Sequence, residues 1–563
     1  MFAQGSSVFR LLEGSKQFTI PIYQRRYSWE TEECQQLWED IKDMVTHNLS
    51  GHFIGAVVSV HEEQLATAVQ LYELVDGQQR TTTIILLLLA IRDFIKENNL
   101  VDENIPDAHA IEGKYLINQY EKGEKQYKLM LKDEDQKDLV NLLNGKTDFI
   151  SESNIKANYD FFKQMLKKSD IPLGLIFDGL GKLKIVDIML NSKEDNAQGV
   201  FESLNSKGKN LSTFELIQNF ILMSCLSKTE EQLKIYEDIW LKIEELFNDD
   251  ELSNLKDEFF IHYLTFVLKG NRPNKNNLYS AFKKHFKIEH ENKEKSITDI
   301  CKNILYYAKI FRSIILVDSN SPQLNKLYGE IKGLNLTLIY PILFLLHQKY
   351  REEAFDSEKL CSLIKLCISY VVRIKIIGLG SSPYKHTFTK ILSGDSVNYE
   401  EILISQDKKQ KFPTNEEFLS SFISKKIYKE DKFCKYILTA LLNYHNKKDP
   451  VDTEHYTIEH ILPQNENLSI EWQNALGENW QEKRNELLHT IGNLTLTPYN
   501  SELGDKPFKE KLNLPTIGYK ESALALNSYI VKQEEWNTDK IKERSKELAE
   551  LALQIWSYPQ TNQ

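Results

Sequence analysis

The chain has 563 residues, a formal net charge of −11 and an apolar content of 41%. This length exceeds what one hydrophobic core serves, so about two to four domains are expected. The acidic balance excludes a protein that coats nucleic acid with uniform positive charge, but it allows a local basic groove. The six cysteines are scattered without a CxxC pair, which argues against a zinc knuckle or a disulfide framework.

Two features of the N-terminal part bear on localisation. The first residues lack the basic start and apolar core of a secretory signal. The longest apolar run, IILLLLAI at 84–91, is far shorter than the roughly 20 residues that span a bilayer. We therefore expect a cytoplasmic protein with no membrane partner.

The first hundred residues have a mixed α/β pattern. Extended segments are predicted at 18–23, 53–60 and 71–75, and helices at 29–45 and 81–99. From about 110 to 400 the pattern is mostly helical, and Ser212 and Glu215 have capping-box spacing within the helix–loop–helix at 201–220. Polar runs at 290–296 and 405–418 are candidate domain boundaries, the second being the better one.

The stretch LVDGQQRTTT at 74–83 predicts a strand, a turn at Gly77 and a helix that begins near Arg80. The free N–H groups of a helix start favour an anion, and an arginine adds a fork suited to phosphate. Asp76 is placed to position a base or a metal-bound water. The pattern does not match a Walker loop. The alternative is a plain turn formed by Asp76 and Gly77 and capped by Arg80.

The segment IPIYQRRYSWE at 20–30 interleaves aromatic rings with arginines. Rings and guanidinium groups together suit stacking on a base and binding of a phosphate. A packed amphipathic N-terminal segment is the alternative.

Near the C-terminus, TIEHILPQN at 457–465 predicts a short strand, and HTIGNLTLTPYN at 489–500 predicts a second strand followed by a helix start. If the strands pair, Glu459, His460 and Asn493 lie close together, with Asn500 across the gap. A neutral histidine is a suitable general base for phosphodiester hydrolysis. Carboxylate and amide oxygens are the ligands that Mg²⁺ prefers.

We therefore predict catalytic roles for His460, Asn493 and Asn500, with Glu459 and Asn500 as ligands of Mg²⁺ or Mn²⁺. Asn493 is expected to hold the loop that carries His460. The alternative is a histidine satisfied at the end of a strand. His489 and His455 remain ambiguous, although His489 could face the same cleft.

Two groups of basic residues are candidate DNA contacts. The window 372–394 contains no acidic residue, and further lysines follow the Glu-His motif. The predicted DNA-binding residues are Arg373, Lys375, Lys385, Lys390, Lys506 and Lys511. Ordinary solvated side chains are the alternative.

Three ordered motifs, IPIYQRRYSW, LVDGQQR and FESLNSKGKNLSTFELIQN, resemble the N-terminal domain of the GmrSD-type (type IV) restriction enzymes over residues 8–225. The resemblance implies a ParB/sulfiredoxin-like fold that binds and hydrolyses a nucleoside triphosphate of unknown identity. The predicted nucleotide-binding residues are Tyr23, Gln24, Arg25, Asp76, Gly77, Gln78, Gln79 and Arg80. Asn205, Lys207 and Gly208 either face the same pocket or close a helical hairpin.

The order EHILPQ, IGNLTL, an asparagine and F-x-x-K resembles the HNH (His-metal finger) endonucleases, in the form found in the C-terminal domain of the same enzymes, over 410–550. By this resemblance His460 is the base, and Glu459 and Asn500 hold the metal. About thirty residues separate His460 from Asn493, more than in many compact HNH sites. This insertion either carries DNA contacts or only extends the fold.

The predicted fold class is α+β and mostly helical. A ParB/sulfiredoxin-like domain at 1–225, a helical region at 226–405 and a ββα-metal (HNH) domain at 406–563 are expected. The predicted function is an NTP-regulated, metal-dependent endonuclease that cleaves modified double-stranded phage DNA, with a homodimer as one option. The alternatives are a non-cutting NTP- and DNA-binding regulator, and a sequence-independent nicking nuclease with a scaffold N-terminal domain.

Overall fold

The computed structural model describes residues 1–61, 68–191, 195–205, 211–224, 229–291, 296–394, 398–404, 411–444 and 450–559. The chain divides into two compact units, Met1–Leu241 and Lys242–Gln563. Both are described separately below, and the division into three domains remains a prediction. The predicted α+β, mostly helical class is confirmed.

The first unit is built on a six-stranded mixed sheet with the strand order β1-β6-β3-β4-β2-β5. The strands are β1 (Phe2–Ser7), β2 (Lys16–Thr19), β3 (His52–His61), β4 (Gln70–Asp76), β5 (Leu129–Met130) and β6 (Leu183–Asn191). β3 runs antiparallel to β4 and parallel to β6, while β4 runs parallel to β2. β1 pairs antiparallel with β6, which is distant in sequence.

Helices surround this sheet. They are α1 (Val8–Leu12), α2 (Thr31–Thr46), α3 (Gln78–Asn98), α4 (Ala108–Ile111), α5 (Asp133–Leu143), α6 (Asn154–Lys168), α7 (Leu173–Gly181), α8 (Ala197–Asn205), α9 (Thr213–Met223) and α10 (Thr229–Ile235). Helix α3 is buried on nearly all sides, as its run of consecutive apolar residues requires. It therefore forms the centre of the core, and its first turn directly follows β4 through Gly77.

Most of the predicted elements of this unit are confirmed. The extended segments at 53–60 and 71–75 are β3 and β4, and the helix predicted at 81–99 is α3. Ser212 and Glu215 form the capping box of α9. The segment 18–23 is only partly a strand, because β2 ends at Thr19, before Pro21. Proline lacks the N–H that a sheet ladder needs.

The second unit is helical up to its last hundred residues. From the junction onward the helices are α11 (Leu241–Leu246), α12 (Lys256–Val267), α13 (Leu278–Glu291), α14 (Ile297–Leu316), α15 (Pro322–Gly333), α16 (Tyr340–Arg351), α17 (Ser357–Ile376), α18 (Ser382–Ser393), α19 (Tyr399–Ile404), α20 (Asn415–Ser424) and α21 (Asp431–Asn443). Aromatic rings fill the core at α12, α14 and α16, where Phe259 packs against Phe311 and Phe344.

The C-terminal part of this unit, from Thr457 onward, contains a two-stranded antiparallel sheet of β7 (Thr457–His460) and β8 (Leu494–Thr497). The remaining helices are α22 (Ile470–Leu476), α23 (Trp480–Leu487), α24 (Asn500–Leu503), α25 (Phe508–Asn513) and α26 (Thr538–Ile555). α22 and α23 form the insertion between the two strands. Across the residues that the structure describes, no helix is long and apolar enough to cross a membrane.

Candidate functional site

Strands β7 and β8 position the Glu-His motif. In the register of the pair, Glu459 lies opposite Thr495 and His460 opposite Leu494, so the predicted strand pairing is confirmed. The Asn500 side chain, at the start of α24, donates from Nδ2 to the carbonyl oxygen of Ile458 at 2.9 Å. The structure therefore brings Asn500 against the strand that carries His460.

His460 is buried at the end of β7 and contacts two other rings. Its Nε2 lies 3.1 Å from Nδ1 of His489. The Tyr428 ring meets His460 edge-on at 4.4 Å and stacks on His489 at 5.3 Å. Burial, followed by the nearby charges of His489, Lys511 and Arg484, lowers the pKa of His460 to about 3. The imidazole is therefore neutral near pH 7, which is the form that accepts a proton.

The sequence left His489 ambiguous, and the structure places it in contact with His460. The pKa of His489 is lowered, chiefly by burial and then by the charge of Arg484. Arg484 is itself buried and donates to the carbonyl oxygen of Gln464, in the loop after His460. Arg484 was missed at the sequence level, because it lies inside the insertion and carries no motif.

Asn493 holds the loop that follows His460. It is fully buried, and its Oδ1 accepts from the Leu462 N–H at 2.7 Å and from Trp536 Nε1 at 3.2 Å. Its Nδ2 donates to the carbonyl oxygens of Leu462 at 3.0 Å and Leu488 at 2.9 Å. These four hydrogen bonds use both the acceptor oxygen and the donor nitrogen of the side-chain amide. This fits the predicted role of Asn493 in holding the loop. A catalytic contribution of Asn493 stays a prediction.

The glycine before Asn493 is required by a close approach of helix α26. A Cβ atom on Gly492 would lie 2.2 Å from both the carbonyl oxygen of Ile541 and Oγ of Ser545. Arg544, fully buried on the same helix, donates to the carbonyl oxygens of Gly492 at 2.7 Å and Leu494 at 2.8 Å. The IGN sequence thus fits a turn pressed against α26.

Replacing Gly492 with alanine is therefore expected to destabilise the second unit by about 1–3 kcal/mol, because α26 must shift to admit the methyl group. Urea denaturation of the full chain measures this loss. Gly380→Ala is the matched control, since no heavy atom lies within 4 Å of its Cβ position. Equal midpoints for the two variants would contradict the tight contact.

The predicted metal-ligand role of Glu459 does not fit the structure. Glu459 is buried, and its Oε1 accepts from Lys511 Nζ at 2.7 Å and from the Tyr519 hydroxyl at 2.9 Å. The Lys511 ammonium already neutralises this carboxylate and would repel a divalent ion placed beside it. Glu459 is therefore a buried ion-pair partner, and this is a correction to the sequence prediction.

One side-chain oxygen at the end of β7 is open to a divalent ion. Within the described ranges, Oδ1 of Asn500 has no hydrogen-bond partner, whereas its Nδ2 is engaged. His460 contributes a second open group, since its buried Nδ1 has no partner. No cluster of three or more His, Cys, Asp or Glu residues that could hold a metal occurs in the described part of the chain. Binding of a divalent ion at this site therefore stays a prediction.

Two of the predicted DNA contacts are wrong because their side chains are buried. The Arg373 guanidinium donates to the carbonyl oxygens of Trp556 at 2.7 Å and Pro413 at 2.9 Å, and to Asn415 Oδ1 at 2.8 Å. Lys511 is likewise fully buried. Neither has a donor left at the surface for a phosphate.

The other four basic residues are more accessible. Lys385 and Lys390 are exposed on α18, while Lys375 is half-buried with its ammonium over the Phe433 ring. Lys506 pairs with Glu510 at 3.0 Å, which offsets its charge. DNA contact by these four residues stays a prediction.

In the first unit, the turn between β4 and α3 has the predicted form. Gly77 has φ of +88° and directly precedes α3, and a Cβ there would lie 3.0 Å from the Ala56 carbonyl oxygen. The Arg80 Nη1 donates to that same oxygen at 2.6 Å. Burial raises the pKa of Asp76, against the lowering by the Gly77 N–H and by Arg80. Arg80 thus lies against β3.

Three of the predicted nucleotide-binding side chains instead tie the segment 20–30 to the core. Gln79 Oε1 accepts from the N–H groups of Ser28 at 2.8 Å and Trp29 at 3.2 Å. Gln24 donates to the Val75 carbonyl oxygen, and the Tyr23 hydroxyl donates to Glu73, both at 2.8 Å. For Tyr23, Gln24 and Gln79 the structure gives the packed arrangement that was the alternative.

Arg25 and Gln78 remain open to a ligand. Both line a small cavity of about 10 Å³, and Oε1 of Gln78 is buried without a partner. Such a volume holds about one water, so a nucleotide needs the segment 20–30 to move outward. Lys207 and Gly208, and the side chain of Asn205, lie outside the described residues.

Comparison with known protein families gives a match in each of the two regions that contain the candidate sites. Residues 8–222 match the sequence model of the GmrSD restriction endonuclease N-terminal domain, and residues 412–551 match that of the GmrSD restriction endonuclease C-terminal domain. No curated protein sequence matches the chain. The two matches keep the family's order and cover more than half of the chain between them. The chain therefore belongs to the GmrSD restriction endonuclease family.

Proposed function

We propose that this restriction endonuclease is an NTP-regulated, divalent-metal-dependent enzyme that cuts modified foreign DNA, such as that of a phage, at an HNH-type site. The observation that carries the proposal is the position of His460, held at the end of β7 with its ring against His489. The surrounding contacts are those that a positioned general base needs, since Asn493 fixes the following loop from both sides.

In this proposal the His460 imidazole takes a proton from the attacking water, and His489 orients its ring. Lys511 holds the backbone at the strand end by donating to the His460 carbonyl oxygen at 2.9 Å. Asn500 would hold the metal ion, which would supply charge stabilisation at the scissile phosphate. Because His460 is buried, the site must open towards DNA before water and phosphate reach the ring.

The nucleotide is proposed to bind at the first turn of α3. The N–H groups of that turn and the Arg25 guanidinium suit a phosphate, and Oε1 of Gln78, which is buried without a partner, is available to a donor of a base or ribose. Binding there moves the segment 20–30, which Gln79 otherwise fastens to the core. This movement is the proposed link between nucleotide and cleavage.

Replacing Arg25 with alanine is expected to weaken nucleotide binding about tenfold or more, because a hydrogen bond to a charged group is lost. The measurement is the NTP concentration that gives half-maximal DNA cleavage, together with NTP hydrolysis. Arg10→Ala is the control, since Arg10 is exposed in the same unit and does not line this cavity. If both variants behave as the wild type does, the nucleotide does not bind at this turn.

The whole proposal is tested by plasmid cleavage with the intact wild-type chain. Glucosylated, methylated, phosphorothioated and plain DNA are each incubated with Mg²⁺, Mn²⁺ or EDTA, with and without ATP or GTP. Metal-dependent cutting of one modified substrate, altered by NTP, is expected. No cutting of any substrate would favour the non-cutting regulator. Equal cutting of all substrates without any effect of NTP would favour the scaffolded nicking nuclease.

A further inference from the structure

A cleft of about 710 Å³ lies between α15 and α21 in the second unit. Its volume falls within the roughly 300–1,000 Å³ typical of small-molecule sites. Neither candidate site described above contributes to its walls. Small residues on both helices line it, among them Gly329 and Gly333 on α15 and Thr439 and Ala440 on α21.

The wall of the cleft contains one acidic side chain, Glu330. The Tyr436 hydroxyl donates to its Oε2 at 3.3 Å, and that hydroxyl in turn accepts from Trp556 Nε1 at 3.3 Å. Glu330 has no ion-pair partner among the residues that the structure describes. Burial raises the pKa of its carboxyl, and the charge of Lys326 offsets this only in part. Among the residues that the structure describes, Oε1 of Glu330 has no hydrogen-bond partner, so this oxygen is open to a donor from a ligand.

Positive charge lies on the same cleft. Lys326 and Lys432 line it and are exposed, and within the described part of the chain neither has an ion-pair partner. A third lysine, Lys435, is engaged with the Glu454 carbonyl oxygen at 2.9 Å. A ligand that fills this cleft therefore needs hydrogen-bond donors for the carboxylate and negative charge for the two ammonium groups.

We propose that this cleft binds a guanine nucleotide, with the base against Glu330 and the phosphate against Lys326 and Lys432. An ionised carboxylate only accepts hydrogen bonds, and guanine offers two adjacent donors, its N1–H and its 2-amino group. Adenine and cytosine present one donor beside an acceptor, and uracil presents one N–H between two carbonyls. The inference does not depend on the nuclease proposal, because binding needs no cleavage.

The test is calorimetric titration of the full chain with GMP, AMP, CMP and UMP. GMP is expected to bind about tenfold or more tightly than UMP, because UMP leaves the carboxylate short of a partner. Glu330→Gln replaces one acceptor oxygen by a donor and is expected to remove the preference for GMP. Lys332→Gln is the control, because Lys332 lies on the same helix, pairs with Glu251 and does not line the cleft.

A second variant fills the cleft without disturbing its wall. Gly329 lines the cleft, and a Cβ there meets only Val317 Cγ1 at 3.9 Å, so Gly329→Leu adds a large side chain at the cleft wall without a clash. This variant is expected to lose GMP binding with a melting temperature no lower than that of the wild type, because leucine is a better helix former than glycine.

The source of the nucleotide is distinguished by titrating a deoxyhexanucleotide that contains one guanine. Tighter binding of GMP points to a free nucleotide, and tighter binding of the oligonucleotide points to an extruded base of DNA, both of which support the site. Absence of GMP and oligonucleotide binding, or GMP affinity that is unchanged in Gly329→Leu and Glu330→Gln, would overturn the proposal.

Discussion

Replacing Lys511 with methionine is expected to lower the free energy of unfolding of the second unit by about 3–5 kcal/mol. The lysine is fully buried, and its ammonium donates to Glu459 at 2.7 Å and to the carbonyl oxygens of His460 at 2.9 Å and Ile461 at 3.3 Å. Methionine fills similar volume but leaves a buried carboxylate and two carbonyl oxygens without this donor.

The size of this loss is expected to depend on pH. Burial raises the pKa of Glu459, and the charge of Lys511 lowers it, so removal of the lysine raises this pKa further. Below about pH 4.3, the pKa of a glutamate in the unfolded chain, the Glu459 carboxyl is protonated in both the folded and the unfolded variant. No buried charge then destabilises the folded state. As pH rises past that value, the unfolded chain releases a proton that the native variant retains. The variant therefore loses stability until the pH exceeds its folded pKa.

Urea denaturation of Lys511→Met at pH 5 and pH 8 measures both effects. Lys509→Met is the matched control, because Lys509 is exposed on the same helix. The double variant Lys511→Met/Glu459→Gln is expected to recover part of the loss, since it removes the buried charge. A loss no larger than that of the control would show that the pair does not hold the strand end.

The local elements around the site follow from the sequence, because their signals lie within a few residues. TIEH and LTLT alternate as strands do, and they pair as expected. The loop-holding expectation for Asn493 agrees with its four hydrogen bonds, since a buried amide next to a tight turn has few other uses.

The roles of buried charges do not follow from the sequence. Lysine and arginine are mostly exposed in proteins, so Lys511 and Arg373 were expected at the surface. Their burial depends on partners about 40 to 190 positions away, such as Glu459 and Trp556. No short motif encodes such distant pairing, and Arg544 was missed for the same reason.

In the first unit, the glycine turn and helix α3 were predicted from a short sequence signal, but the direction of each side chain was not. The motif DGQQR places five consecutive residues at one turn. In the structure, however, Gln79 bonds to the segment 20–30, while Arg80 lies against β3. Which side of the sheet each residue meets depends on strand order. That order includes the pairing of β1 with β6, which the sequence alone does not reveal.

The second large effect is expected at His460. Replacing it with alanine removes the proposed general base, which typically contributes a factor of about 10²–10⁴ to the rate. His455→Ala is the matched control, because His455 lies five positions earlier in the same segment and is exposed. Thermal unfolding of both variants checks that neither loses its fold.

The central claim, that DNA is cut at the end of β7, is tested most directly by the initial rate of plasmid cleavage by these two variants. The substrate is the modified DNA that the wild type cleaves. We predict that His455→Ala cleaves at the wild-type rate and that His460→Ala is slower by a factor of about 100 or more. Cleavage by folded His460→Ala at the wild-type rate would contradict the account.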